Sequence, residues 1–207
     1  MKGRIFAAAA ILLLLAGYAK ADDKIPYGNV GTPITTNTDL VATGPVSVAY
    51  FYGYSAADLD TVSVWDVTKG AWAGYQFFPN QTATVGATQT LTGVSVGDVL
   101  EFELYNETTN TWLTSDPASD PGDPGISHAY VTPYSANPLD SDYIAGIPAG
   151  IFVGMEDLGA GQGSDYDYND DQYVVTGAAI TPEPSSLFLL GTGLLGLVVL
   201  GRRTLLA

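Results

Sequence analysis

The sequence predicts an all-β fold, an antiparallel β-sandwich of jelly-roll type, flanked by an N-terminal signal peptide and a C-terminal transmembrane helix. Three observations lead there. Short runs of alternating apolar and polar residues recur along the chain, separated by Gly, Pro, Asn and Asp. No segment between residues 22 and 181 carries a helical period, and a parallel α/β fold would need crossover helices. Both ends pair an apolar run with basic residues, whereas the stretch between them is acidic.

The first element is the segment 1–21. Lys2 and Arg4 form a positive start, residues 5–17 are apolar, and Ala19, Lys20 and Ala21 make a small-x-small cleavage site before Asp22 and Asp23. The apolar run is shorter than the ~20 residues of a usual membrane span. It therefore reads as a removable signal, handled by Sec-type export machinery and signal peptidase, with Ala19 and Ala21 as the processing residues.

One domain is expected over 22–181, a typical single-domain size. It has 21 acidic residues against Lys24 and Lys69 alone. Such a surface repels nucleic-acid phosphates and anionic lipid headgroups and favours cations. There is no cysteine, so disulfides and thiolate metal sites are excluded. The clearest strand is 98–105, with Leu100, Phe102 and Leu104 on one face and Glu101, Glu103 and Tyr105 on the other. Val46, Val48, Tyr50 and Tyr52 form one face of a second strand. Segments 61–66 and 73–78 read as a hairpin about Thr68, Lys69 and Gly70, and further strands are expected near 88–91, 111–114, 127–131, 151–155 and 172–176. Asp-Pro pairs at 116, 120 and 123 make 115–125 an extended loop, and 133–150 is a second long loop.

The densest chemistry lies in Glu156 and Asp157, a glycine-rich turn, and then Asp165, Asp167, Asn169 and Asp170. Alternating oxygen side chains in a tight loop converge on one point, as a hard cation requires. Ca²⁺ suits an all-oxygen ligand set. An EF-hand is rejected, because Asp170 stands where its turn glycine belongs and Thr176 where its bidentate glutamate belongs. The alternative is a solvated acidic turn whose side chains bond their own backbone.

Catalysis has little support. His128 is the single histidine, and no Gly-x-Ser-x-Gly elbow accompanies it. Glu101 and Glu103 could suggest glycoside hydrolysis, but on an outward strand face they read as solvated surface. Trp65, Trp72 and Trp112 could make a sugar platform, although core burial is the commoner fate of such residues. Asn80 and Asn106 begin glycosylation sequons.

The last element is 182–207. Pro182, Glu183 and Pro184 precede an apolar, glycine-containing run over 187–201 and the basic pair Arg202 and Arg203. As a helix the run would rise about 22 Å, a short span of a ~30 Å hydrocarbon core, with the arginines on the cytoplasmic side. This segment resembles the PEP-CTERM sorting signal of exopolysaccharide-producing Gram-negative bacteria. The resemblance implies transient anchoring in the inner membrane, cleavage by an exosortase near Pro182, Glu183 and Pro184, and release to the cell surface or extracellular matrix.

Residues 97–175 also resemble a domain family of unknown function in bacterial exported proteins and adhesins. The matching residues are Glu156, Asp157, Leu158, Ser164, Asp165, Asp167, Tyr168, Asn169 and Asp170, running into a final strand. That resemblance implies a β-sandwich with a Ca²⁺ loop; residues 22–90 carry no such hallmark. Together these readings predict a non-catalytic surface or matrix protein, with anionic exopolysaccharide as a candidate partner. A glycan-binding module is the alternative, and a polysaccharide-acting enzyme the weaker one.

Overall fold

The computed structural model describes residues 25–28 and 30–180. The signal peptide 1–21 with Ala19 and Ala21 lies outside the described residues. So does the sorting segment with Pro182, Glu183, Pro184, Arg202, Arg203 and the helix expected over 187–201.

Eleven strands make up the described fold: β1 (Leu40–Ala42), β2 (Ser47–Tyr54), β3 (Asp60–Asp66), β4 (Ala71–Phe77), β5 (Thr88–Leu91), β6 (Val99–Asn106), β7 (Thr111–Thr114), β8 (Ala129–Tyr134), β9 (Gly150–Met155), β10 (Asp171–Thr176) and β11 (Ala178–Ile180). All pairings are antiparallel. Sheet one runs β11-β1-β6-β3-β4, with β7 beside β6, and sheet two runs β5-β2-β10-β9-β8. β3 occupies one edge of β6, so β1 and β7 share the other, pairing with its beginning and its end respectively.

Alternation explains why the sheets stack. Val62 and Val64 of β3 and Leu100, Phe102 and Leu104 of β6 are fully buried, and they meet Ala49 and Phe51 of β2, Val153 and Met155 of β9, and Tyr173 and Val175 of β10 in one apolar cluster. All eleven described strands join one of the two sheets, and this cluster fills the space between them.

Sheet two is buried on its outer face as well. Tyr52, Phe152 and Val174 pack there with Tyr134 and Ile147, covered by Ile25, Tyr27 and Ile144. The loop expected over 133–150 therefore folds back as a cover, and its first two residues complete β8. The Tyr52 hydroxyl donates to the Asp142 carbonyl, and Ile144 N donates to the Tyr134 hydroxyl at 2.9 Å. This cover is why Tyr50 and Tyr52, on the face opposite Ala49 and Phe51, are also withdrawn from water.

The loop after Ser115 is a series of turns rather than an extended segment. Asp120 is the reason: its carboxylate accepts from the backbone N–H of Thr114, Gly122 and Asp123 at 2.6, 2.8 and 2.7 Å. Its side chain substitutes for missing ladder partners and winds the chain around itself.

Candidate cation site

One end of the sandwich gathers the starts of β3 and β10 and the ends of β2, β6 and β9, as their registers require. Glu156 and Asp157 follow β9 directly, and residues 165–170 lead into β10, so the β9–β10 pairing brings both halves of the acidic motif together. The approach is close. A Cβ on Gly154 would lie 2.1 Å from the Tyr168 carbonyl oxygen, so only glycine fits.

The loop itself is held in an uncommon conformation. Tyr166 and Tyr168 have φ of 54° and 55°, the left-handed region that costs a β-carbon-bearing residue of order 1 kcal/mol or more. Surrounding contacts hold it there. The Tyr27 hydroxyl donates to the carbonyls of Asp167 and Tyr168 at 2.8 and 2.6 Å, and Gly31 N donates to the Tyr166 carbonyl at 2.9 Å. The buried Tyr168 hydroxyl accepts from Ile34 N at 2.9 Å.

Two groups of three carboxylates result, each with one oxygen per residue within 4.8 Å of the others: Glu156, Asp165 and Asp167, and Glu156, Asp157 and Asp170. Glu156 belongs to both. Five of the six sequence-predicted ligands thus converge. The sixth, Asn169, turns its amide toward Asp167, donating from Nδ2 to Oδ2 at 2.8 Å, so it orients that carboxylate. Glu156, Asp157, Asp165 and Asp170 also line a cleft of about 250 Å³, with Asp58 opposite them.

The electrostatics show how little neutralises these groups. Burial first, and neighbouring Asp170 second, push Glu156 up to about 7. Burial and then Asp60 push Asp157 up to about 7. Burial and Asp157 hold Asp170 well above the usual carboxylate range. Lys69, the only lysine or arginine among the described residues, pairs with Asp98 and Asp66 at the opposite end of β3. All the available donors are oxygens, and the convergence fits a hard cation better than a softer one.

Sequence reasoning missed the contribution of sheet one. Asp58 and Asp60 precede and begin β3, and Asn106 ends β6. Asn106 Nδ2 donates to Asp58 Oδ2 at 2.9 Å and to the Asp157 carbonyl at 3.0 Å. The signal was present only as an Asp at each end of a strand pattern, and pairing register alone reveals which end it shares.

Other residues singled out from sequence fall elsewhere. His128 is fully buried, makes no hydrogen bond through either ring nitrogen, and lies 3.5 Å from Asp123 Oδ2. Burial lowers its pKa against the opposing pull of Asp120 and Asp123. No serine hydroxyl bonds it, so no Ser-His pair is assembled there. Glu101 and Glu103 are not a solvated surface. Glu101 is 6% exposed and accepts from the Ser119 hydroxyl, and burial raises Glu103 to about 7.

The tryptophans avoid the core. Trp72 is 40% and Tyr75 53% exposed. With Trp65, Trp112 and Tyr105 they form a shelf on the outer face of sheet one. Ring centroids lie 5.0 Å apart for Trp65–Trp72, 4.9 Å for Trp72–Tyr75, 6.2 Å for Trp72–Trp112 and 4.8 Å for Tyr105–Trp112. Both sequon asparagines are fully buried and hydrogen-bonded, Asn80 to Asp60 and Asn106 to Asp58, which removes them as modification sites in the folded chain.

Among known families, residues 181–203 match the PEP-CTERM protein-sorting motif. No curated protein and no solved structure matches the chain. The motif implies targeting to an exosortase, with transient passage through the membrane and sorting to the cell surface.

Proposed function

We propose that the chain is a non-catalytic surface or extracellular-matrix protein whose acidic loop is completed by Ca²⁺ and meets anionic exopolysaccharide. The observation that carries this reading is the sharing of Glu156 between two carboxylate triads beside one cleft, with no lysine or arginine at that end among the described residues. Glu156, Asp157, Asp165, Asp167 and Asp170 would hold the ion. A cation there would supply positive charge to which a carboxylated polymer, approaching past the exposed Asp165, can add ligands. Without it, the domain's net negative charge opposes that contact.

The test joins sorting to binding. Cells expressing the chain should yield the processed domain at the surface or in the medium, and a variant with Pro182, Glu183 and Pro184 replaced by alanine should stay with the membrane fraction. The purified domain should co-sediment with alginate in Ca²⁺ and separate from it in EDTA. Equal co-sedimentation in both, or turnover of the polymer, would overturn the reading.

A second reading has its own support. The five-ring shelf presents amphipathic faces in the manner of a saccharide platform, and the partly exposed Glu103 beside it offers a polar contact. Lacking basic residues, the shelf suits an uncharged glycan. Saccharide-dependent quenching of tryptophan fluorescence, lost in Trp72→Ala, would support it. Quenching that persists in that variant would count against it.

A further inference from the structure

Register shows what the aromatic shelf stands over. On sheet one, β4, β3, β6 and β7 lie side by side in that order. Trp65 of β3 pairs with Trp72 of β4 and with Glu101 of β6, and Tyr105 of β6 pairs with Thr61 of β3 and Trp112 of β7. Between these two rows lies a third, made of Ser63, Glu103 and Thr114. β4 and β7 are three strand spacings apart, about 14 Å. Their rings nevertheless meet, with centroids 6.2 Å apart for Trp72–Trp112 and 6.3 Å for Tyr75–Trp112. They do so by leaning inward over the middle row. Ser63 agrees: it alternates with the core residues Val62 and Val64, so it stands on the outer face, and yet it is fully buried.

Glu103 is the acidic member of that middle row. It lies between the core residues Phe102 and Leu104, which turns it to the outer face, and it stays partly open to solvent. Burial, then Glu101 and Asp120, raise it to about 7, and no donor or cation offsets the rise. Glu101 is already held by the Ser119 hydroxyl, and Lys69 is committed to Asp98 and Asp66. A half-covered carboxyl among aromatic rings, with no positive partner, suits an ammonium group. The ring faces attract a cation within about 6 Å of their centroids. The carboxylate adds a charge-assisted hydrogen bond. Both features turn away an acidic sugar, while the rings still stack on the apolar face of a pyranose.

We propose that the shelf binds a glycan whose sugars carry free amino groups, with the sugar rings stacked on Trp72, Tyr75 and Trp112 and an ammonium held by Glu103. The inference rests on the saccharide reading of the shelf and adds to it a preference among sugars that are otherwise uncharged.

All three tryptophans of the chain lie on the shelf, so tryptophan fluorescence reports on the shelf alone. The full chain, held in a non-ionic polyoxyethylene detergent at pH 7, is titrated with oligomers of glucosamine and, separately, with oligomers of N-acetylglucosamine of the same length. The amino form should quench at a concentration lower by about tenfold or more, as one hydrogen bond between charged groups provides. Glu103→Gln should shrink that preference to about twofold or less, since the charge is gone. Glu107→Gln, which removes an exposed charge beyond the end of β6, should keep it. Should Glu103→Gln not fold, a tri-lysine peptide decides on the wild type: it should not quench where the amino sugar does. Equal quenching by the two oligomers would overturn the inference and leave the shelf a saccharide platform. A preference that survives in Glu103→Gln, or tri-lysine quenching as the amino sugar does, would also overturn it, because either marks bulk attraction to an acidic protein. No quenching by either oligomer would remove the saccharide reading and the inference together.

Discussion

In EDTA the domain should lose stability as the pH rises from 5 to 7. Asp60, Glu156 and Asp157 are raised to about 7, each first by burial and then by neighbouring carboxylates. In the unfolded chain such groups ionise near pH 4. Between those values the folded state holds protons that the unfolded state has released. The stabilisation is therefore fully present below the unfolded pKa and is lost as pH climbs through 7. For Asp60 alone, the step from pH 5 to pH 7 removes about 2 kcal/mol at ~1.36 kcal/mol per pH unit. For a domain of this size that lowers the unfolding midpoint by about 4–8 °C.

The three groups interact, so their contributions do not simply add. His128 works the other way. Burial lowers its pKa, so its contribution is present at neutral pH and is lost on acidification as the unfolded histidine takes up a proton. One histidine is set against at least three carboxylates, and the carboxylates win. The assay is circular dichroism melting in EDTA at pH 5, 6 and 7. In saturating Ca²⁺ the trend should reverse, because the ligands must be deprotonated to bind. Midpoints in EDTA that rise from pH 5 to 7 would refute the reasoning, since they would mean that these carboxylates ionise normally in the metal-free fold.

Two further predictions follow from contacts at the same end. Gly154→Ala drives a methyl group into the Tyr168 carbonyl and should cost about 3 kcal/mol, read from urea unfolding, with weakened Ca²⁺ binding. Asn106→Ala removes the donor shared by Asp58 and the Asp157 carbonyl and should cost about 1–3 kcal/mol by the same assay.

Much of the fold was legible because alternation at β6 is strict and the turn residues around β5 and β7 are unambiguous; those strands lie within a residue of expectation. β1 and β11 escaped notice. Each has three residues and no alternation long enough to recognise, and their pairing with each other depends on chain ends meeting across the sheet. The exposed tryptophans were equally hidden, since a strand position shows which face a residue takes but not which face is covered. The acidic loop was readable as a convergence of oxygens. Asp171 was not, because beside Asp170 it looks like the tail of a charged run. Only the register with Met155, and the parity it shares with Tyr173 and Val175, turns it into the core.

Thermal unfolding of residues 22–181, first in EDTA and then in excess Ca²⁺ at pH 7, tests the central claim most directly. At about 100 times its dissociation constant, one ion adds about 2.7 kcal/mol, a rise of roughly 5–10 °C in the midpoint. At least that rise is expected of a loop completed by Ca²⁺, reduced in Asp165→Ala/Asp167→Ala. A midpoint that does not move with Ca²⁺ would contradict it.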